Sequence, residues 1–106
     1  MRVGQIIGMP KKNIEQYKKL HASVWPGVAK MIAECNIKNY SIYYKDEQLF
    51  AYFEYVGDDY AADMAKMAAD ETTQQWWDVC MPLQKPFDNR KQGEWWSDTE
   101  EVFHQD

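Results

Sequence analysis

A chain of 106 residues, 45% hydrophobic and 15% aromatic, has the size of one small domain spanning 1–106 with a real core. Its five Trp, seven Tyr and four Phe carry more ring surface than one small core hides, so surplus rings are expected in a pocket or on a partner surface. A net charge of −5, with no Lys/Arg patch interleaved among the rings, speaks against nucleic acid and against an anionic membrane surface as partners.

Arg2 to Met9 alternates weakly and reads as a strand, ended by Met9-Pro10. Gly4 and Gly8, at even spacing, leave one strand face bare for close approach of other backbone. Asn13 is placed to cap a helix, with Gln16 completing a capping box. That helix carries Ile14, Tyr17, Leu20, His21 and Val24 at helical spacing. Trp25 precedes a proline and is pushed out of the α region, while Pro26 suits the first turn of a second helix. Val28, Met31 and Ile32 form its apolar stripe, and Asn36 is suited to a left-handed cap.

Ile37–Tyr44 and Leu49–Val56 are rich in β-formers and are joined by four polar residues, Lys45 to Gln48, which reads as a hairpin. Gly57-Asp58-Asp59 opens a third helix with Tyr60, Met64 and Met67 on one side. Asp70 is the expected N-cap of a fourth, which carries Trp76, Trp77 and Cys80 and stops at Met81-Pro82. Gln84 to Gly93 lacks periodicity and reads as a loop, and Glu100 to His104 as a short last strand preceded by Trp95-Trp96. The order β-α-β-β-α-β, with both helical segments interrupted, predicts an α+β ferredoxin-like fold, a four-stranded antiparallel sheet with helices on one face. The other face has no element left to cover it, so pairing with a second copy through the sheets is expected.

Several residues invite chemistry. His21 is one of two histidines and lies four residues after Tyr17, on the same helix face, beside the break at Trp25-Pro26. It is either a histidine satisfied at a helix end or a general acid–base group, whose ordinary pKa of about 6.5 suits proton transfer both ways at neutral pH. Tyr40 and Tyr43, three apart in a strand, face opposite sides of the sheet, and each either packs or offers a phenol to a ligand. Trp76 and Trp77, about 100° apart on a helix, cannot both fill one core stripe, so at least one is a candidate for a pocket or an interface. Trp95-Trp96 poses the same question in a loop, as a lid or interface, and His104 reads as a strand-end residue. Cys35 and Cys80 match no zinc or redox spacing and are expected to be reduced, buried thiols. No metal-ligand cluster, Gly-rich phosphate loop or Gly-x-Ser-x-Gly motif is present, which leaves proton shuttling in an aromatic pocket without metal or cofactor. The start lacks an apolar signal region and no stretch approaches roughly 18 apolar residues, so a cytoplasmic location is expected.

Taken together, Tyr17-x-x-x-His21, Trp25-Pro26, Asn39-Tyr40-Ser41-Ile42-Tyr43, Leu49-Phe50-Ala51, Trp76-Trp77 and Glu100-Glu101-Val102-Phe103-His104 resemble the L-rhamnose mutarotases, in order and over nearly the whole chain. Leu20 stands where some members carry an arginine, and Gly27 where some carry a glutamate. The resemblance implies a homodimer forming a dimeric α+β barrel, with a monosaccharide site in each sheet–helix cleft. It implies His21 as the catalytic proton donor and Tyr17, Tyr40, Trp76 and Trp77 as sugar-binding residues. The activity implied is exchange between the α and β anomers of L-rhamnose or a related 6-deoxyhexose such as L-fucose. Two other functions fit the same fold: a cofactor-independent monooxygenase acting on an aromatic substrate, and a sugar-binding module without catalysis.

Overall fold

Three long strands form the sheet: β1 (Arg2–Gly8), β2 (Ile37–Lys45) and β3 (Gln48–Tyr55). They belong to a computed structural model that describes all 106 residues, Met1–Asp106. β4 (Ser97–Asp98) completes an antiparallel sheet of order β2-β3-β1-β4. Between the strands lie α1 (Ile14–Ala22) and α2 (Pro26–Glu34), then α3 (Tyr60–Ala68) and α4 (Glu71–Cys80). The ferredoxin-like α+β order expected from the sequence is therefore the order observed, with each helical segment split in two.

β3 alternates cleanly: Leu49, Ala51, Phe53 and Tyr55 are buried, and the residues between them are not. The buried set faces the helices, where Ile7, Met9, Ile14, Tyr17, Val28, Leu49, Trp76 and Cys80 make one core. Both cysteines are free and buried. The hairpin turn is tighter than a four-residue loop. Lys45 pairs with Gln48, and Asp46 and Glu47 form a two-residue turn with φ of 51° and 60°.

β2 carries a bulge between Lys38 and Ser41, where Asn39 has φ 52°. Asn39 and Tyr40 together oppose Phe53, so the extra residue brings Ile37 and Tyr40, three apart, onto the helix-facing side. Tyr40 packs against Phe53 with ring centroids 5.5 Å apart, while Tyr43 pairs with Phe50 on the opposite face and is 64% exposed.

The helix boundaries follow local chemistry. Trp25 has φ −58° and ψ 133°, and Pro26 occupies the first turn of α2. Asn36 takes the left-handed conformation (φ 64°) and donates a side-chain hydrogen bond to Asp63. Asp59 accepts from the amide of Ala62, and Asp70 accepts from both the amide and the hydroxyl of Thr73, capping α3 and α4. Gly27 lets α2 approach α4, since a Cβ there would stand 3.0 Å from Thr72 Cγ2. Gly8 is bare because Lys85 needs the space: a Cβ would meet its carbonyl oxygen at 2.4 Å, and the two residues exchange backbone hydrogen bonds of 2.8 Å.

Two expectations are corrected. Asn13 does not build a capping box. A single turn of 3₁₀ helix, Lys11–Asn13, leads into α1, and the Asn13 carboxamide donates to the Leu83 carbonyl instead. A long-range tether satisfies the side chain better than the local cap, because Leu83 lies in another 3₁₀ turn (Met81–Leu83) packed beside it. The last strand is not Glu100–His104 but the two residues Ser97–Asp98. Pairing with β1 ends where Thr99 donates from backbone and hydroxyl to Gly4 O. Beyond it Glu101 joins Arg2 through its side chain at 2.9 Å, and Val102 and Phe103 stay 86% and 76% exposed. His104 is thus an exposed tail residue, bonded to Asp106.

Candidate active site

The sheet's helix-facing side and the helices enclose a cavity of about 440 Å³. That volume lies within the usual range for small-molecule sites. All five residues that the family resemblance marks for catalysis and sugar binding, Tyr17, His21, Tyr40, Trp76 and Trp77, line it, whereas Tyr43 and His104 do not.

α1 presents Tyr17 and His21 on one face because they are four residues apart. Their rings stack at 4.1 Å with an interplanar angle of 25°. The edge of Trp76 from α4 closes the other side of the imidazole at 5.1 Å, and Trp25 backs Trp76 at 5.2 Å. The helix break at Trp25-Pro26 therefore places a ring where a continuous helix would have carried it away. Trp76 is 6% exposed and belongs to the core, whereas Trp77 is half-buried, yet both reach the cavity wall. The adjacent pair thus divides the work between packing and lining.

His21 Nδ1 lies 2.9 Å from the carbonyl oxygen of Tyr17. A carbonyl only accepts, so this bond requires the proton on Nδ1 and leaves Nε2 of the neutral ring as an acceptor. Burial lowers the His21 pKa below its ordinary value, with the Tyr17 bond opposing that shift in part. At neutral pH the ring is therefore uncharged and competent as a base.

The phenols are the complement. Tyr17 is 4% exposed, and burial, with a smaller contribution from Tyr40, raises its pKa far above the ordinary tyrosine value. Tyr40 is 41% exposed and lines the cavity, and desolvation of its phenol pushes its pKa up to about 12. Both stay protonated across the physiological range and serve as neutral hydrogen-bonding groups. Cys80, in the cavity wall, is held as a thiol by burial, its pKa pushed up to about 11.

Four further cavity residues, Trp95, Trp96, Gln84 and Gln5, were not among the binding groups expected from the sequence. Trp95 and Trp96 fold inward and wall the cavity from the segment before β4. Gln84, from the loop after the second 3₁₀ turn, donates from Nε2 to the Tyr17 hydroxyl at 3.2 Å and accepts at Oε1 from Trp95 Nε1 at 2.8 Å. Gln5 also lines the cavity and is held by Asp98 at 2.9 Å. A signal for Gln5 did exist: it sits in the inward register of β1, two residues before the fully buried Ile7. No group of three His, Cys, Asp or Glu side chains is placed to hold a metal ion, and no helix is long and apolar enough to cross a membrane.

Comparison with known proteins identifies the family. The sequence model of the L-rhamnose mutarotase family matches residues 2–105. The chain is 32% identical over 108 residues to an L-rhamnose mutarotase of Lactiplantibacillus plantarum, covering 100% of this chain and 99% of that protein. It is 34% identical over 84 residues to one from Listeria monocytogenes, covering 79% and 80% respectively. A crystal structure of an L-rhamnose mutarotase from Formosa agariphila superposes with a TM-score of 0.77 at 22% identity, covering 100% of this chain and 99% of that one, and so shares the fold. The chain belongs to the L-rhamnose mutarotase family.

Proposed function

We propose that this chain is an isomerase that interconverts the α and β anomers of L-rhamnose, with His21 as its acid–base residue and Tyr17, Tyr40, Trp76 and Trp77 as its sugar-binding wall. Two of its full-length relatives, from Lactiplantibacillus plantarum and Oceanobacillus iheyensis, are named for that activity. The observation that carries the mechanism is the commitment of Nδ1 to the Tyr17 carbonyl, which leaves Nε2 of a neutral imidazole as the ring's remaining acceptor in the cavity wall.

Anomer exchange opens a hemiacetal and closes it from the other carbonyl face. Nε2 takes the proton of the anomeric hydroxyl as the bond from C1 to the ring oxygen breaks. A second acid, a tyrosine hydroxyl or a hydroxyl of the sugar itself, lends a proton to that oxygen to complete the open-chain aldehyde and takes it back when the ring recloses. Rotation about C1–C2 presents the other face, and the steps reverse, with the imidazolium returning its proton to the new anomeric oxygen. Charge and protons balance, and the imidazole is regenerated. Such positioned acid–base help contributes typically ~10²–10⁴-fold. The indole and phenol faces suit the C–H side of a sugar and its 6-methyl group.

The same reading includes a homodimer. The face of the sheet away from the helices carries Ile6, Tyr43, Phe50 and Tyr52, with Tyr43 64% and Phe50 40% exposed. A second copy packed there makes the dimeric α+β barrel.

Saturation transfer between the α and β anomeric protons tests the reading. L-rhamnose is expected to exchange far above the buffer rate with catalytic amounts of protein. Binding without exchange would make the chain a sugar-binding module, and oxygen uptake with an aromatic substrate would make it a monooxygenase. Running L-fucose and other 6-deoxyhexoses in the same assay fixes which sugar is preferred.

A further inference from the structure

Gln84 uses both ends of its carboxamide, and the chemistry of its neighbours decides which end goes where. The Trp95 indole N–H can only donate, so it must meet the amide oxygen, at 2.8 Å. The Gln84 NH₂ is thereby turned to Tyr17, whose hydroxyl oxygen it meets at 3.2 Å. That contact uses the phenol as an acceptor and leaves its proton uncommitted. Tyr17, His21, Gln84 and Trp95 all line the one cavity.

We propose that Gln84 is a positioning residue: pinned by Trp95, it makes Tyr17 accept from behind and so turns the phenolic proton toward the cavity, as a hydrogen-bond donor to the sugar. This rests on the reading that the cavity holds a reducing sugar. The Tyr17 carbonyl similarly fixes the neighbouring imidazole as an acceptor. Two rings stacked 4.1 Å apart then offer one acceptor and one donor. A hemiacetal presents the matching pair, since its anomeric hydroxyl donates and its ring oxygen accepts. The segment 84–96 thus does more than roof the site: it sets the polarity of a side chain 67 positions away in sequence.

The isosteric change Gln84→Glu separates this role from simple bracing of the loop. Once ionised, the introduced carboxylate accepts from both the Trp95 indole and the Tyr17 hydroxyl, so the brace persists while the phenolic proton is turned away from the cavity. In its protonated form the same carboxyl again donates to Tyr17 and mimics glutamine. The ratio of variant to wild-type exchange rate is therefore expected to be about three- to tenfold below one at neutral pH, and to recover as pH falls through the range in which the introduced carboxyl takes up its proton, ordinarily about pH 4. The Trp95 indole proton resonance should keep its hydrogen-bonded position throughout. In a Tyr17→Phe background the pH-dependent fall should vanish.

A ratio near one at neutral pH overturns the proposal, because the polarity of Tyr17 then does not matter. A ratio well below one that persists in the Tyr17→Phe background overturns it too, because Gln84 then only braces. Should Gln84→Glu fail to fold, Gln84→Met and Tyr17→Phe close a double-mutant cycle in which the two losses are expected to overlap, and fully additive losses overturn the proposal. If the wild-type chain exchanges no 6-deoxyhexose at all, the sugar reading itself has failed. Normal wild-type exchange with an unresponsive Gln84→Glu variant removes only the role given to Gln84.

Discussion

The two faces of the sheet are built from the same strands, one residue out of step, and they differ in almost everything that matters for chemistry. The helix-facing side holds the buried members of β3, Tyr40 raised into place by the bulge, and the stacked Tyr17–His21 pair. Burial there lowers the histidine pKa and raises those of both phenols, which leaves an uncharged acid–base set. The opposite side carries Tyr43 and Phe50 in the open and, at one edge, the exposed pair Arg2–Glu101. On the first side Tyr17, His21 and Trp95 have their polar atoms directed by neighbours, while on the other Tyr43 and Phe50 offer area. Residue type alone does not separate a site tyrosine from a surface one; register does.

That contrast can be broken on the helix-facing side first. His21→Ala should lower anomer exchange by about 10²–10⁴-fold while the protein stays folded, measured by saturation transfer beside a thermal melt. Tyr40→Phe comes next, with a cost of about 1–3 kcal/mol in transition-state stabilisation if its hydroxyl meets the sugar. An unchanged kcat/KM would return Tyr40 to packing against Phe53. Asp70→Ala removes the cap of the helix that carries Trp76 and Trp77 and should cost about 1 kcal/mol of stability, read from denaturant unfolding, with kcat nearly untouched. On the open face, Tyr43→Glu should convert the proposed dimer to monomer in sedimentation while changing the exchange rate the least of all. A Tyr43→Glu protein that loses activity as completely as His21→Ala would show that the two faces are not separable.

Acid sensitivity follows the same division. Because the folded-state pKa of His21 is depressed, the unfolded chain binds the extra proton more readily as pH falls below the ordinary histidine value. Exchange is therefore expected to be full at neutral pH and above. It is lost as pH drops through the depressed pKa, and a small part of the folding stability goes with it. The Tyr17 and Tyr40 pKa values lie too high to impose a descending limb below about pH 10.

How much of this was legible in the sequence depended on whether the deciding forces are local. The break at Trp25-Pro26, the start of α3 after Gly57-Asp58-Asp59, the cap at Asp70 and the left-handed Asn36 were readable because each is set by neighbours within a few residues. The pairing of Tyr17 with His21 was readable for the same reason, as a helix spacing. Asn13 misled because its best partner, the Leu83 carbonyl, is 70 residues away. The Glu100–His104 run has strand propensity, yet backbone pairing with β1 stops at Thr99 and Gly4, and only the Arg2–Glu101 side chains join beyond it. The edge of β1 is taken by Ser97 and Asp98 because Trp95 and Trp96 are drawn into the cavity just before them. Gln84 gave no sign at all: it sits in an aperiodic loop, and its meaning exists only once Tyr17 and Trp95 stand on either side of it.

Central to the mechanism is a bare Nε2 on an uncharged His21 ring. A pH series of long-range ¹H–¹⁵N spectra of the two histidines, recorded beside anomer exchange on the same samples, tests it most directly. The prediction is a neutral His21 that carries its proton on Nδ1 and titrates below the ordinary histidine value, with the exchange rate rising in step with the deprotonated fraction. A neutral ring protonated on Nε2, or an exchange rate indifferent to the titration of His21, would contradict it.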